Sequence, residues 1–318
     1  MKALRVLAVC LIAALMIILL CACGNQDIAK SAGGIVCLAF PEYDWTRNIL
    51  GDNPGKLELK LLVGNGVDMH SYQPAVDDIA QLSACDLLIC TGGSSEDWVL
   101  DAIENNRDKS KPALVATELL SEQLLCVGET QHEHDHAHTD IDEHLWLSLN
   151  NAQKICEAIC AEICSLDPAN ASIYKANLQS YTQKLQALDN AYAEVVENAV
   201  LDSIIVADRF PFVYLAADYG LQYHAAFSGC SADIDASFET IVALTETVDS
   251  LQPPAILIID GSTREIADAV LANIPGSSCE VLTLNSMQSV TAAQLTAGIS
   301  YIGIMQQNLD VLTRALNP

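Results

Sequence analysis

Short, fully apolar runs alternate with amphipathic stretches along most of this chain. GIVCLAF (34–40) reads as a strand, DWTRNILGD (44–52) as a short helix, and LELKLLV (57–63) as the next strand. After the loop GNGVDMHSYQP come helix VDDIAQLSAC (76–85), strand DLLICTG (86–92), helix EDWVLDAIENN (96–106) and strand ALVAT (113–117). The rhythm returns in the second half. SIIVAD (203–208), QYHAAF (222–227), PAILIID (254–260) and CEVLTL (279–284) read as strands; FVYLAADYG (212–220), ASFETIVALTETVDSL (236–251), TREIADAVLANI (263–274) and 301–316 read as helices. Strands that are apolar throughout and separated by helices indicate mainly parallel sheets covered on both faces. The expected fold class is therefore α/β, with two β/α lobes of similar size.

Between the lobes the pattern changes. Tyr174, Leu178, Tyr181, Leu185, Leu188, Tyr192 and Val195 follow spacings of four and three after a helix start at Asp167-Pro168. Nothing breaks this helix for roughly 30 residues, or about 45 Å. The expected organisation is an N-terminal lobe (35–167) containing a histidine-rich loop (131–140), a connecting helix (168–200) and a C-terminal lobe (201–318). One long helix between two lobes limits how far they can hinge. In such sheets ligands collect beyond the carboxyl ends of the strands, so the gap between the lobes is the expected binding site.

The first 34 residues do not share this rhythm. Lys2 and Arg5 precede an apolar run over 7–20 and then Cys21-Ala22-Cys23 and a polar stretch, the layout of a signal peptide (1–22) and a tether linker (23–34). Small residues ahead of Cys23 resemble a bacterial lipobox, with Cys23 lipidated. Cys21 is unusual there, and an uncleaved anchor is the alternative. Either way the chain is expected outside the cytoplasm, on the outer face of the cytoplasmic membrane.

Charge narrows the possible partners. Beyond residue 22 the chain carries 13 Lys and Arg against 41 Asp and Glu, a formal charge of −28. Such a surface repels nucleic acid and attracts small cations, although acidity alone also serves solubility. The twelve cysteines do not form a disulfide scaffold pattern. Cys156, Cys160 and Cys164 recur every four residues, as expected for a buried stripe of small apolar side chains on one helix face, and there is no CxxC pair.

Histidine is the most unevenly distributed residue. Five of the seven lie in QHEHDHAHTDIDEHLW (131–146). His132, His134, His136 and His138 alternate with Glu133 and Asp135 and read as a cation-attracting accessory loop. The plain alternative is a solvated linker. His144 stands where the acidic DIDE runs into apolar Leu145-Trp146-Leu147, so its position is fixed, and Asp142 and Glu143 could orient it. His70 sits in the loop after LELKLLV. In the second lobe Asp208, Asp260 and Asn285 end strands, where each is either a ligand or a cap. His224 lies within a strand and reads as a core or sheet-edge residue.

The stretch GNGVDMHSYQPAVDDIAQLSACDLLICTGGSSEDWV resembles the segment around the first metal-binding histidine in the zinc- and manganese-type metal-binding lipoproteins of ABC uptake systems. DEHLWLSLNNAQKI resembles the second such segment, and DPANASIYKANLQSY the start of the connecting helix. The resemblance covers essentially the whole chain beyond the lipobox. It implies a monomeric, membrane-tethered receptor that binds zinc, with manganese less favoured, and delivers it to an ABC permease with its ATPase. It implies His70 and His144 as ligands. The family places a His or Glu where this chain has Arg209, which cannot ligate a cation. Asp208, one residue earlier, is then the expected third ligand, with Cys230, Asp260, Asn285 and Glu143 as further candidates and Arg209 expected to hold a carboxylate such as Asp260. Two imidazoles and a carboxylate suit tetrahedral zinc. Two alternatives remain at this point: an extracytoplasmic zinc-dependent hydrolase, for which HExxH and GxSxG are both absent, and a surface adhesin of the same fold.

Overall fold

The computed structural model describes residues 34–126, 141–227, 229 and 236–317. Cys23, His132, His134, His136, His138 and Cys230 lie outside these residues, as do the expected signal peptide and nearly all of the linker.

The first four strands are β1 (Gly34–Cys37), β2 (Glu58–Leu61), β3 (Leu87–Cys90) and β4 (Ala113–Val115). They form one all-parallel sheet in the order β2-β1-β3-β4. The second sheet repeats that order with β5 (Ser203–Val206), β6 (Gln222–Ala225), β7 (Ala255–Ile259) and β8 (Glu280–Leu284), arranged β6-β5-β7-β8 and again parallel. The central strands β3, β5 and β7 are buried along their whole length, as sequences that are apolar apart from Ser203 require. His224 sits on edge strand β6 and is exposed.

Helices cover both faces of each sheet. In the first lobe these are α1 (Phe40–Leu50), α2 (Val76–Ala84), α3 (Asp97–Asn105), the single turn α4 (Ala116–Leu119) and α5 (Leu149–Leu166). Helix α1 starts four residues before the expected Asp44. Pro41 stands in its first turn, where a missing N–H costs nothing, and this draws Phe40 out of the strand. Cys156 and Cys160 are buried along α5 and Cys164 is half-buried. Burial pushes the Cys160 thiol up to about 12, so this stripe is apolar packing.

The connecting helix α6 (Ala171–Glu197) is preceded by a 3-10 turn at Pro168–Asn170. Its buried residues are Tyr174, Tyr181, Leu185, Leu188 and Tyr192. They belong to one continuous cluster that also contains Trp45 on α1 and Tyr301 and Ile304 on the last helix. The second lobe's helices are α7 (Val213–Tyr219), α8 (Phe238–Leu251), α9 (Glu265–Ala272), α10 (Ala292–Thr296) and α11 (Tyr301–Leu316). The outer face of each sheet has its own smaller cluster, around Leu82 and Leu88 in the first lobe and Ile205 and Ile256 in the second.

The shared core makes the two lobes one unit. Trp45 meets Tyr301 edge-on with ring centroids 5.0 Å apart, and Asp44 Oδ2 accepts from Tyr301 N at 2.9 Å. Trp146 Nε1 donates to Ser286 O at 2.9 Å, and Tyr301 Oη donates to Trp146 O at 2.6 Å. Opening the lobes widely would expose side chains worth about 1.5–3 kcal/mol each when buried.

Candidate metal centre

His70 is carried by a 3-10 turn, Met69–Ser71, in the loop between β2 and α2. Asp68 caps the turn, its Oδ1 accepting from His70 N at 3.0 Å. His144 directly precedes a second turn, Leu145–Leu147, whose three apolar side chains are buried and pin the segment in the core. Trp146 packs edge-on to the His144 ring, with centroids 5.2 Å apart. Residues 74 positions apart in sequence thus face each other, with Nε2 to Nε2 at 3.3 Å.

Each ring is aimed by the partners of its other nitrogen. His144 Nδ1 lies 3.0 Å from Asp142 Oδ1, which also accepts from His144 N at 2.9 Å. His70 Nδ1 lies 3.0 Å from Glu143 Oε1 and 2.6 Å from Ser95 Oγ. Ser95 in turn gives both its hydroxyl and its N–H to the Glu143 carboxylate. Burial works to raise the Glu143 carboxyl, but hydrogen bonds from His70 and Ser95 outweigh it and hold it down to about 2. A proton on each Nδ1, facing a carboxylate, leaves each Nε2 with its lone pair. Gly93 makes room for this arrangement, since a Cβ there would collide with Glu143 Oε2 and Cβ.

Behind this shell lie two more carboxyls. Glu42 Oε1 accepts from Thr91 Oγ1 at 2.8 Å and Glu96 Oε2 from Gly92 N at 2.6 Å. Burial pushes both up, and the mutual repulsion of the two adds to the rise in Glu96.

The chemistry of the pair fits a small transition-metal ion. Two nitrogens bound at about 2.0–2.1 Å to a tetrahedral zinc ion stand about 3.3 Å apart, and the two Nε2 atoms are 3.3 Å apart. Two neutral imidazoles favour zinc, nickel or copper over manganese.

The second lobe departs from expectation. Asp208 does not reach the imidazoles: its Oδ1 accepts from Arg209 N at 2.8 Å and its Oδ2 from Ile259 N at 3.4 Å, so it fastens β5 to β7. Asp260 accepts from Ser286 N, Ser286 Oγ and Ser289 Oγ and shapes the loop after β8. Asn285 Oδ1 accepts from Met287 N at 2.8 Å within that loop. Strand-end carboxylates and amides here hold backbone. Among the described residues no three of His, Cys, Asp and Glu converge to hold an ion. Arg209 pairs across the gap with Asp68, at 3.3 Å, and not with Asp260.

The residue the second lobe does bring is Gln288, which the sequence reading did not single out. Its side-chain nitrogen lies 2.6 Å from His70 Nε2 and 2.7 Å from His144 Nε2. Only its place four residues beyond the end of β8 was a signal. Ser95 was missed for the same reason: its partners come from other loops.

Two parallel lobes strung on one rigid helix, with facing imidazoles in the gap, make the architecture of a substrate-binding component of an uptake system. Residues 35–315 match the family described as zinc-uptake complex component A, periplasmic (ZnuA), and the chain belongs to that family, whose members bind substrate and are not enzymes. The zinc-binding lipoprotein AdcA of Streptococcus pneumoniae is 32% identical over 308 residues, which are 95% of this chain and 59% of that protein. The chain thus spans less than two thirds of that relative's length. The high-affinity zinc uptake system protein ZnuA of Bacillus subtilis is 30% identical over 313 residues, 94% of each chain. The crystal structure of the Zn(II)-bound ZnuA-like domain of S. pneumoniae AdcA superposes with a TM-score of 0.71 at 28% identity, covering 90% of this chain and 99% of that one.

Proposed function

We propose that this chain is an extracytoplasmic receptor that binds one zinc ion through His70 Nε2 and His144 Nε2 and delivers it to an ABC permease. The observation that carries this reading is the 3.3 Å between two Nε2 atoms whose opposite ring nitrogens both face carboxylates. The zinc-binding names of the relatives support the choice of metal. A shared core through α6 suits a receptor that presents its cargo with little domain movement. Membrane tethering through a lipid on Cys23, a monomeric state and an accessory role for His132, His134, His136 and His138 as a weak zinc collector belong to the same proposal.

The hydrolase alternative needs a general base beside an ion-bound water. Glu143 sits at the Nδ1 edge of His70, away from the Nε2 that would face the ion, so it orients the ligand instead.

The test is a titration of the full chain with zinc, manganese, nickel and copper, in wild type, His70→Ala and His144→Ala. The expected result is one tight zinc equivalent, lost in both variants, with manganese weaker by orders of magnitude. Tight zinc binding that survives both substitutions refutes the assignment.

A further inference from the structure

Gln288 reaches the imidazoles from the second lobe, and its geometry sets it against the cargo. With each Nδ1 proton directed at a carboxylate, both Nε2 atoms are hydrogen-bond acceptors, and an amide nitrogen carries one N–H for each. The contacts of 2.6 and 2.7 Å place that nitrogen on both lone pairs at once. Those are the lone pairs that would hold the ion. An ion about 2.0–2.1 Å from both Nε2 atoms, on the side their lone pairs face, falls within about 1 Å of the amide nitrogen. The ion and the amide therefore exclude each other.

The amide is held in this place by its loop. Met287 has a φ of 63°, a conformation that disfavours a side chain, and the Met287 N to Asn285 Oδ1 bond fixes it there. Asp260 grips Ser286, and Gly66 N donates to Val290 O at 3.0 Å, tying the loop to the one that carries His70. The Arg209–Asp68 pair adds a second strap across the gap, from the segment after β5 to the loop that carries His70.

We propose that Gln288 is a plug: its amide caps both imidazole lone pairs and closes the gap until zinc displaces it. This rests on the receptor reading above and adds to it a residue that sets the entry rate. The amide satisfies two buried acceptors and competes with the ion for them, so the apparent affinity is the intrinsic affinity multiplied by the unplugged fraction. Two ordinary hydrogen bonds represent a competition of about tenfold to thirtyfold.

The experiment measures zinc association and dissociation rates by stopped flow with a chromophoric chelator, on the full chain in wild type, Gln288→Ala and Gln288→Met. Methionine keeps the bulk without the donor, and thermal unfolding checks that each variant is folded. Plugging predicts association about tenfold to thirtyfold faster in both variants, with dissociation unchanged and equilibrium affinity tighter by the same factor. Weaker binding with unchanged association would mean that Gln288 only ligates, and overturns the plug, as do rates equal to wild type. His70→Ala serves as the separate control. If wild type and His70→Ala bind zinc alike, the receptor reading itself fails, whatever the Gln288 variants do.

Discussion

Replacing Gly93 with alanine tests how the site is held, using a residue that touches neither imidazole. Gly93 has ordinary extended backbone, with φ −85° and ψ −178°, so alanine is conformationally acceptable there. The obstacle is steric: the new methyl meets Glu143 Oε2 and Cβ, and the Cβ cannot swing aside as a side-chain tip could. Glu143 must then leave its bonds to Ser95 N, at 3.1 Å, and to His70 Nδ1, at 3.0 Å. Losing the orienting partner of a metal-binding histidine costs about 10–100-fold in affinity, or about 1.4–2.7 kcal/mol. Zinc affinity measured by chelator competition should fall by that factor in Gly93→Ala. In a Glu143→Gly background both atoms the methyl would strike are gone, so adding Gly93→Ala should cost almost nothing more. Such non-additivity is the signature of a shared contact. A folded Gly93→Ala protein with wild-type zinc affinity would refute the reasoning, as would simple additivity of the two changes.

Other consequences follow from the same geometry. Tyr301→Phe leaves the buried Trp146 carbonyl without its 2.6 Å donor and should lower stability by about 1–3 kcal/mol in urea unfolding, with zinc affinity much less affected. Burial raises the Glu96 carboxyl in the folded protein, so the folded state holds a proton that the unfolded chain releases above about pH 4.3. Wild-type stability relative to Glu96→Gln should therefore be greatest near pH 4 and fall as pH rises toward neutrality, a trend that thermal midpoints across pH 4 to 8 will show or refute. Deleting 132–138 should remove only weak zinc binding in calorimetry; loss of the tight equivalent would contradict the division of roles.

The layout of this fold was legible because buried parallel strands such as Leu87–Cys90 and Ala255–Ile259 are apolar at every position, and α6 carries an unbroken apolar stripe. His70 and His144 were legible because each sits in a segment with a recognisable local sequence, and turns at Met69–Ser71 and Leu145–Leu147 position them. The second lobe's contribution was not. Asp208 and Asp260 have the residue type of ligands and the strand-end position of ligands, yet backbone N–H groups claim their oxygens. Gln288 has no charge and no motif, and its importance arises only when the β8–α10 loop is laid against the first lobe. Arg209 likewise finds Asp68, a partner 141 positions away, across the gap.

X-ray absorption at the zinc edge of the zinc-loaded full chain tests the central claim most directly. The account predicts a four-coordinate ion with two imidazole nitrogens at about 2.0–2.1 Å, both lost in a His70→Ala, His144→Ala double variant. A shell dominated by sulfur, or one in which the imidazole signal survives the double substitution, would contradict it.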